Sequence, residues 1–185
     1  MTDYYSILGI EERYHLDLNA LKSTYLKLSK QHHPDFSKGD PEEQQKRLLR
    51  FSEINDAYKK LADPQTRLLN LFTRYGLLEA DGQIADQQKL SQEFLMEMME
   101  HNMALEEVMA TEDEQAAIDF RSTLNGLMNA RNNIIEAAMT EFDAAQDAAA
   151  REAALQKALP AFFERRYLLR MDEKLTNFAD PAGDD

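Results

Sequence analysis

The chain has 185 residues, 43% of them apolar, so a packed core in one domain or in two small domains is expected. Its formal net charge of −13 argues against a general nucleic-acid binder, because phosphate backbones attract an excess of cations. The absence of cysteine excludes disulfides, thiolate metal sites and cysteine nucleophiles. Because nothing marks export, a reducing cytoplasm is the default expectation. We find no run of about 18 apolar residues and no export signal, so no membrane span is expected.

The charge is distributed unevenly along the chain. Residues 1–75 carry 12 Lys/Arg and 11 Asp/Glu, a net charge of +1, whereas the remainder carries 9 and 23, a net charge of −14. Two glycines and several polar residues interrupt the apolar periodicity in YGLLEADGQIAD. We therefore predict a first domain at 1–75, a hinge at 76–86, a second domain at 87–178 and a disordered acidic tail at 179–185.

Apolar residues recur at every third or fourth position, which predicts an all-α protein. In the first domain, Asp17, Asp40 and Asp63 stand where helices should begin, and their carboxylates can cap free backbone N–H groups. Proline follows two of them, at the helical position that tolerates it best. The predicted helices span residues 3–8, about 17–31, about 41–62 and about 64–75. The expected buried stripes are Leu18, Leu21, Tyr25 and Leu28 in the second helix, and Leu48, Phe51, Ile54, Tyr58 and Leu61 in the third.

A loop containing HHPD joins the second and third helices, which should form an antiparallel hairpin. Pro34 ends the second helix, because the residue before a proline is pushed out of the α region. The proline also restricts the backbone, so a partner that docks on His33 and Asp35 loses less conformational entropy. A proline turn that merely ends a helix is the alternative interpretation.

The second domain is predicted to contain three long helices, which short connections would arrange as an antiparallel bundle. Their spans are about 87–109, 113–142 and 151–178. Thr111, with acidic residues behind it, is the expected cap of the middle helix. The expected core side of that helix comprises Phe120, Leu124, Leu127, Ile134, Ala138 and Phe142. Pro160 either kinks the third helix or begins a new one.

The first helix of this domain contains FLMEMMEHNMALEEVM, which holds five of the nine methionines. At about 100° per residue, one arc is the natural core face and holds Leu90, Phe94, Met98, His101, Leu105 and Val108. A second arc holds Leu95, Met96, Met99 and Met103, with Glu100 and Glu107 at its edge. Methionine fills gaps in helices packed between two others, so the second arc is either further core or an exposed contact surface.

The first 75 residues resemble the J-domain, with which DnaJ-type co-chaperones engage DnaK-type chaperone ATPases. The resemblance rests on DYYSILGI, the tripeptide HPD and FSEINDAYKKLADPQTR, in this order and helix phase. It implies that His33, Pro34 and Asp35 stimulate ATP hydrolysis by the partner. It also implies a basic docking face that steers an acidic surface of the ATPase, formed by Lys22, Lys27 and Lys30. A solvated helix face is the alternative for these lysines.

Nearly the whole chain resembles HscB, the family of dedicated co-chaperones of iron–sulfur cluster assembly. No Gly/Phe-rich linker or cysteine-rich module follows the J-domain, and EFLMEMME is similar to a stretch of that family. The resemblance implies an L-shaped protein that binds the scaffold protein IscU and delivers it to the chaperone HscA. Stimulated ATP hydrolysis by HscA would then promote cluster maturation and transfer. No catalytic residue, cofactor, metal, nucleic acid or membrane is expected to take part in this chain's action.

The scaffold-binding surface of the HscB family corresponds here to the second arc. The matching positions are Leu95, Met96, Met99, Glu100, Met103 and Glu107. Met103 replaces an acidic residue of the family, which makes the surface more apolar. An aromatic side chain of the last helix also belongs to that surface; Tyr167 is the preferred candidate and Phe163 the other.

Two other functions stay open on the sequence. One is a J-domain co-chaperone of a general DnaK-type ATPase with another client. The other is a small helical enzyme or metal carrier that uses His32, His33 and Asp35, although adjacent histidines point in different directions and no further ligand lies nearby in sequence. A monomer is expected, and the second methionine arc leaves a weak dimer open.

Overall fold

A computed structural model describes residues 2–37, 40–78, 91–111 and 113–179, without the side chains of residues 36, 37, 178 and 179. The elements over these residues are helical, which confirms the predicted all-α class. They are α1 (Tyr4–Leu8), α2 (Leu18–Gln31), α3 (Pro41–Ala62), α4 (Pro64–Arg74), α5 (Gln92–Thr111), α6 (Glu114–Ala144) and α7 (Ala148–Ala179). A 3-10 turn, Pro34–Ser37, lies between α2 and α3.

The chain separates into two compact units. The first comprises Met1–Asp86 and Phe142–Ala144, and the second comprises Gln87–Glu141 and Ala145–Asp185. Most of the predicted hinge at 76–86 and nearly all of the predicted tail at 179–185 lie outside the described residues. The predicted domain boundaries therefore stay predictions.

Aspartate caps begin the helices of the first unit, as the sequence predicts. The carboxylates of Asp3, Asp17, Asp40 and Asp63 each accept a hydrogen bond from a backbone N–H of the first turn. Each cap satisfies donors that have no partner within the helix, and such a cap is typically worth about 1 kcal/mol. The last of these helices, α4, ends at Arg74, so Tyr75 lies just beyond it.

α2 and α3 form the hairpin that positions the HPD loop. Tyr25 of α2 stacks on Tyr58 of α3 with ring centroids 4.2 Å apart, and its hydroxyl donates to Asn55 at 2.9 Å. Nearer the loop, the guanidinium of Arg47 donates to the carbonyl oxygen of Gln31 at 2.9 Å. Contacts at two levels therefore fix the register of the antiparallel pair.

The predicted buried stripe of this hairpin is wrong at two positions, because Leu18 and Leu48 are exposed. Leu18 is the first residue of α2. Leu48 lies about 120° around α3 from the fully buried Ile54, whereas Arg47 lies within about 20° of it. The position that faces α2 at this level is therefore Arg47, and Leu48 points away from the core.

A buried arginine closes the end of α3. Arg67 is 4% exposed, and its guanidinium donates to the carbonyl oxygens of Leu61, Ala62 and Tyr14. Leu61 and Ala62 belong to the last turn of α3, where carbonyl groups lack a partner within the helix. A cation at the negative end of the helix dipole adds to this stabilisation.

The core of the second unit is built by α5, α6 and α7 together, as expected for a three-helix bundle. Its buried members are Phe94, Met98 and Leu105 of α5, Phe120 and Leu124 of α6, and Leu168, Met171 and Leu175 of α7. Of the core arc predicted for α5, Phe94, Met98 and Leu105 are buried and His101 and Val108 are half-buried, whereas Leu90 lies outside the described residues. Among the described residues α5 begins at Gln92, where the Ser91 hydroxyl accepts a hydrogen bond from the N–H of Phe94, and the predicted start at residue 87 lies outside these residues.

The predicted cap of α6 is wrong. Thr111 is the last residue of α5, and its hydroxyl donates to the carbonyl oxygen of Glu107. Asp113 caps α6 instead, because its carboxylate accepts hydrogen bonds from the N–H groups of Gln115 and Ala116.

In the second unit, the predicted burial of Ile134 is wrong, and the two alternatives for Pro160 are resolved. Ile134 is exposed and Ile135 is buried, because Ile135 lies 11 residues after Leu124 and therefore only about 20° from it around the helix. Pro160 lies inside α7, which continues on both sides of it, so the proline does not begin a new helix.

Candidate functional site

The first candidate site is the loop between α2 and α3. The ring of His33 packs edge-on against Phe51 of α3, with ring centroids 5.6 Å apart. Its Nδ1 lies 3.3 Å from the backbone N–H of Asp35, which donates a hydrogen bond to it. The Asp35 carboxylate is 84% exposed, and one of its oxygens lies 3.4 Å from Nδ1. Local contacts thus orient the imidazole while the carboxylate faces solvent.

The predicted basic face of α2 is exposed. Lys22, Lys27 and Lys30 lie within an arc of about 140°, and none of them makes an ion pair within the described residues. Leu26, which the sequence interpretation omitted, lies on this arc between Lys22 and Lys30 and is also exposed. The sequence could have identified Leu26, because its position around the helix falls between those of the lysines. The face is therefore a cationic surface with an apolar centre.

The second candidate site is an exposed apolar face of α5, here termed the methionine surface. Its members are Leu95, Met96, Met99 and Met103, whose exposure ranges from 47% to 68%. Met98, next to one of them in sequence, is only 1% exposed. Glu100 and Glu107 are exposed at the edge of the surface. Of the two interpretations left open by the periodicity, the structure favours the exposed contact surface over further core.

Tyr167 borders the methionine surface. Its hydroxyl accepts a hydrogen bond from the side-chain amide of Asn102 at 2.7 Å, and its ring meets Phe94 edge-on. Asn102 lies about 20° from Leu95 around α5, so the tyrosine adjoins that edge. Phe163 is half-buried one turn earlier on α7. Tyr167 therefore contacts α5 directly, through its hydrogen bond with the side-chain amide of Asn102.

An ion-pair cluster that the sequence interpretation missed joins the three helices of the second unit. The guanidinium of Arg131 on α6 lies 3.2 Å from a carboxylate oxygen of Glu97 on α5 and 3.0 Å from one of Glu164 on α7. It also lies over the ring of Phe94, 5.7 Å from the centroid. Arg131 lies about 20° from the buried Leu124 around α6. A cation on the core side of a helix needs a partner, so the sequence could have pointed to this ion pair. The cluster restrains the rotation of α5 and hence which residues it exposes.

Metal-ligating clusters and membrane-spanning helices are both absent from the described ranges. No group of three or more His, Asp or Glu side chains among these residues could hold a metal ion. His32, His33 and Asp35 accordingly form no such group. None of the helices there combines the length and apolar character that crossing a membrane requires.

Comparisons with known proteins address each unit in turn. Residues 3–69 match the DnaJ domain family, and residues 90–176 match the HSCB C-terminal oligomerisation domain family. Over 67 residues the chain is 49% identical to the chaperone protein DnaJ of Prochlorococcus marinus. That match covers 36% of this chain and only 16% of the DnaJ protein.

Two solved structures share the fold over nearly the whole chain. Chaperone HscB from Vibrio cholerae is 21% identical with a TM-score of 0.63, and the alignment covers 97% of this chain and 99% of that one. The human co-chaperone protein HscB is 24% identical with a TM-score of 0.70, and the alignment covers 98% of this chain and 84% of that one. At 21% and 24% identity, the similarity to these two structures shows that the fold is shared.

Proposed function

Because a DnaJ domain followed by an HscB C-terminal domain makes this chain a J-domain co-chaperone of the HscB type, we propose that it binds the iron–sulfur scaffold protein IscU and delivers it to the DnaK-type chaperone HscA. In this proposal the HPD loop stimulates ATP hydrolysis by HscA, which promotes cluster maturation and transfer. The ATP is bound and hydrolysed by the partner, since the family is one of co-chaperones and not of enzymes. A cytoplasmic location is part of the proposal, since nothing in the sequence marks export.

The main observation that supports scaffold binding is the exposure of the methionine surface. Contiguous exposed apolar side chains cost solubility and mark contact sites. Methionine suits a transient contact, because its flexible side chain adapts to the partner's shape. Glu100 and Glu107 supply an acidic rim, which would orient a partner with cations at the matching positions.

The geometry of the HPD loop supports its proposed role towards the ATPase. Contacts of His33 with Phe51 and with the backbone of Asp35 orient the ring before any partner arrives, so docking requires little further ordering. The exposure of the lysines on α2 supports their proposed docking to an acidic surface on the ATPase. Because they are solvent-exposed, we expect this attraction to weaken as salt is added.

The test is a titration of the chain against purified HscA and purified DnaK, each with and without IscU, with steady-state ATP hydrolysis as the readout. We expect stimulation of HscA that IscU increases, and little stimulation of DnaK. His33→Gln should abolish the stimulation while leaving helicity and IscU binding intact, and His32→Gln, one residue away, is the matched control. Equal stimulation of both ATPases without IscU binding would instead indicate a co-chaperone of a general DnaK-type ATPase with another client.

A further inference from the structure

α7 carries an exposed row of three cations, here termed the α7 cation row: Arg166, Arg170 and Lys174. None of the three makes a hydrogen bond or an ion pair within the described residues. Other cations of the same unit do pair with carboxylates. Arg121 pairs with Asp172, Arg131 with Glu97 and Glu164, and Lys157 with Glu141.

The spacing of the α7 cation row is unfavourable for the helix itself. Its members follow one another at four-residue steps, and like charges at this spacing repel on a helix surface. Carboxylates are abundant in this part of the chain, yet none stands four residues before or after a member of the row. In α3, by contrast, Lys46 and Arg47 each pair with a glutamate four residues earlier. Within α7, Glu173 lies three residues after Arg170, and the guanidinium of Arg166 lies 5.8 Å from the ring centroid of Phe162, but no ion pair at four-residue spacing accounts for the row.

The α7 cation row lies on the flank of α7 that adjoins α5. Lys174 lies about 20° and Arg170 about 60° around the helix from Tyr167, on its exposed side. Tyr167 is hydrogen-bonded to Asn102 at the Leu95 edge of the methionine surface. The row and the methionine surface are therefore neighbours separated by Tyr167.

The combined surface has opposite charges at its two edges. Glu100 and Glu107 lie about 140–160° around α5 from Asn102, on the side away from Tyr167. The order across the surface is thus an acidic rim, the methionine surface, Tyr167 and the α7 cation row. Such an arrangement would accept a partner in only one orientation, because reversing the partner would bring like charges together.

We propose that the α7 cation row is the second half of the client-docking surface and binds an acidic surface of the client protein. The client's apolar side chains then pack on the methionine surface, and the inference rests on the proposed scaffold-binding function. A nucleic acid fits the row less well than an acidic protein surface does. A long phosphate backbone would run past the row onto a half of the chain whose net charge is −14, from 9 Lys/Arg and 23 Asp/Glu.

The test is calorimetric titration of IscU into the full chain and into Arg170→Glu, at low and at moderate salt. Charge reversal should weaken the Kd by about tenfold at low salt and flatten its salt dependence. Lys157→Glu, also a charge reversal on α7 although Lys157 pairs with Glu141, should leave the Kd for IscU within about twofold of wild type because Lys157 lies outside the surface. The urea midpoint of Arg170→Glu should stay close to that of wild type, because the new glutamate lies four residues from both Arg166 and Lys174 but three residues from Glu173.

The outcomes separate the two proposals. If the wild-type chain binds IscU and Arg170→Glu binds it equally well, the inference about the α7 cation row is overturned while the proposed function stands. If the wild-type chain does not bind IscU, both are overturned. If duplex DNA or phosphatidylserine vesicles bind the wild-type chain and Arg170→Glu abolishes that binding, the row serves a phosphate-bearing ligand and not an acidic protein.

Discussion

Met98 and Met99 are adjacent in sequence and opposite in environment, which makes them a matched pair for testing the methionine surface. Met98 is 1% exposed in the core of the second unit, whereas Met99 is 66% exposed. Met98→Ala removes packed atoms and leaves a cavity, so it should lower the free energy of unfolding by about 2–5 kcal/mol. Met99→Ala removes a largely solvated side chain and should change it by no more than about 0.5 kcal/mol.

The effect on scaffold binding should be reversed. Full burial of a methionine side chain is worth about 1.5–3 kcal/mol. Because about two thirds of Met99 is available for burial by a partner, its removal should cost about 1–2 kcal/mol of binding, roughly 5- to 30-fold in the Kd for IscU. Met98→Ala should weaken binding only by the fraction of molecules that it unfolds.

Urea unfolding and calorimetry with IscU measure the two quantities separately. A lower urea midpoint with an unchanged slope reports lost stability without a change in the surface exposed on unfolding. If Met99→Ala costs several kcal/mol of stability, Met99 is a core residue and the interpretation of the methionine surface is wrong. If its stability and its Kd are both unchanged, the surface is exposed but does not bind the scaffold.

Two further predictions concern the first unit. Arg67→Met should lower its free energy of unfolding by about 3 kcal/mol or more, since three carbonyl oxygens lose a buried donor; a thermal shift no larger than that of an exposed substitution such as Lys59→Met would contradict this. For Asp3, burial acts to raise the pKa, but hydrogen bonds from Ser6 and the pairing with Arg74 hold that pKa below its ordinary value of 3.8. A carboxyl whose pKa is lowered by folding stabilises the protein above the unfolded pKa, and this contribution is lost as the pH falls through the folded pKa. The free energy of unfolding of Asp3→Asn should therefore be lower than that of wild type near neutral pH and equal to it in acid. If the two proteins still differ in this free energy at about pH 2, the linkage is wrong.

Much of the fold follows from patterns that are local in sequence. The caps at Asp17, Asp40 and Asp63 and the turn at Pro34 were predictable, because capping and the steric effect of proline involve only neighbouring residues. The division of α5 into two apolar arcs was predictable for a similar reason, since helix geometry alone sets the angle between residues. The identity of the client that binds the second arc was inferred from the family resemblance, and it stays a proposal.

Tertiary structure decided which of these arcs and stripes are covered. Leu48 and Ile134 are different, because both are exposed and helix phase alone already sets Leu48 about 120° from Ile54 and places Ile135 nearer than Ile134 to Leu124. Thr111 had the local features of a cap, yet it ends α5 and Asp113 caps α6.

Contacts between residues far apart in the chain also required the structure. Arg131 meets Glu97 and Glu164, and Tyr167 meets Asn102, only because the chain reverses twice between α5 and α7. The sequence by itself therefore determined the helices, the loop motif and the relative phase of the methionines. The tertiary structure decided that the second methionine arc is exposed and that Tyr167 borders it, because burial depends on neighbours that local pattern does not specify.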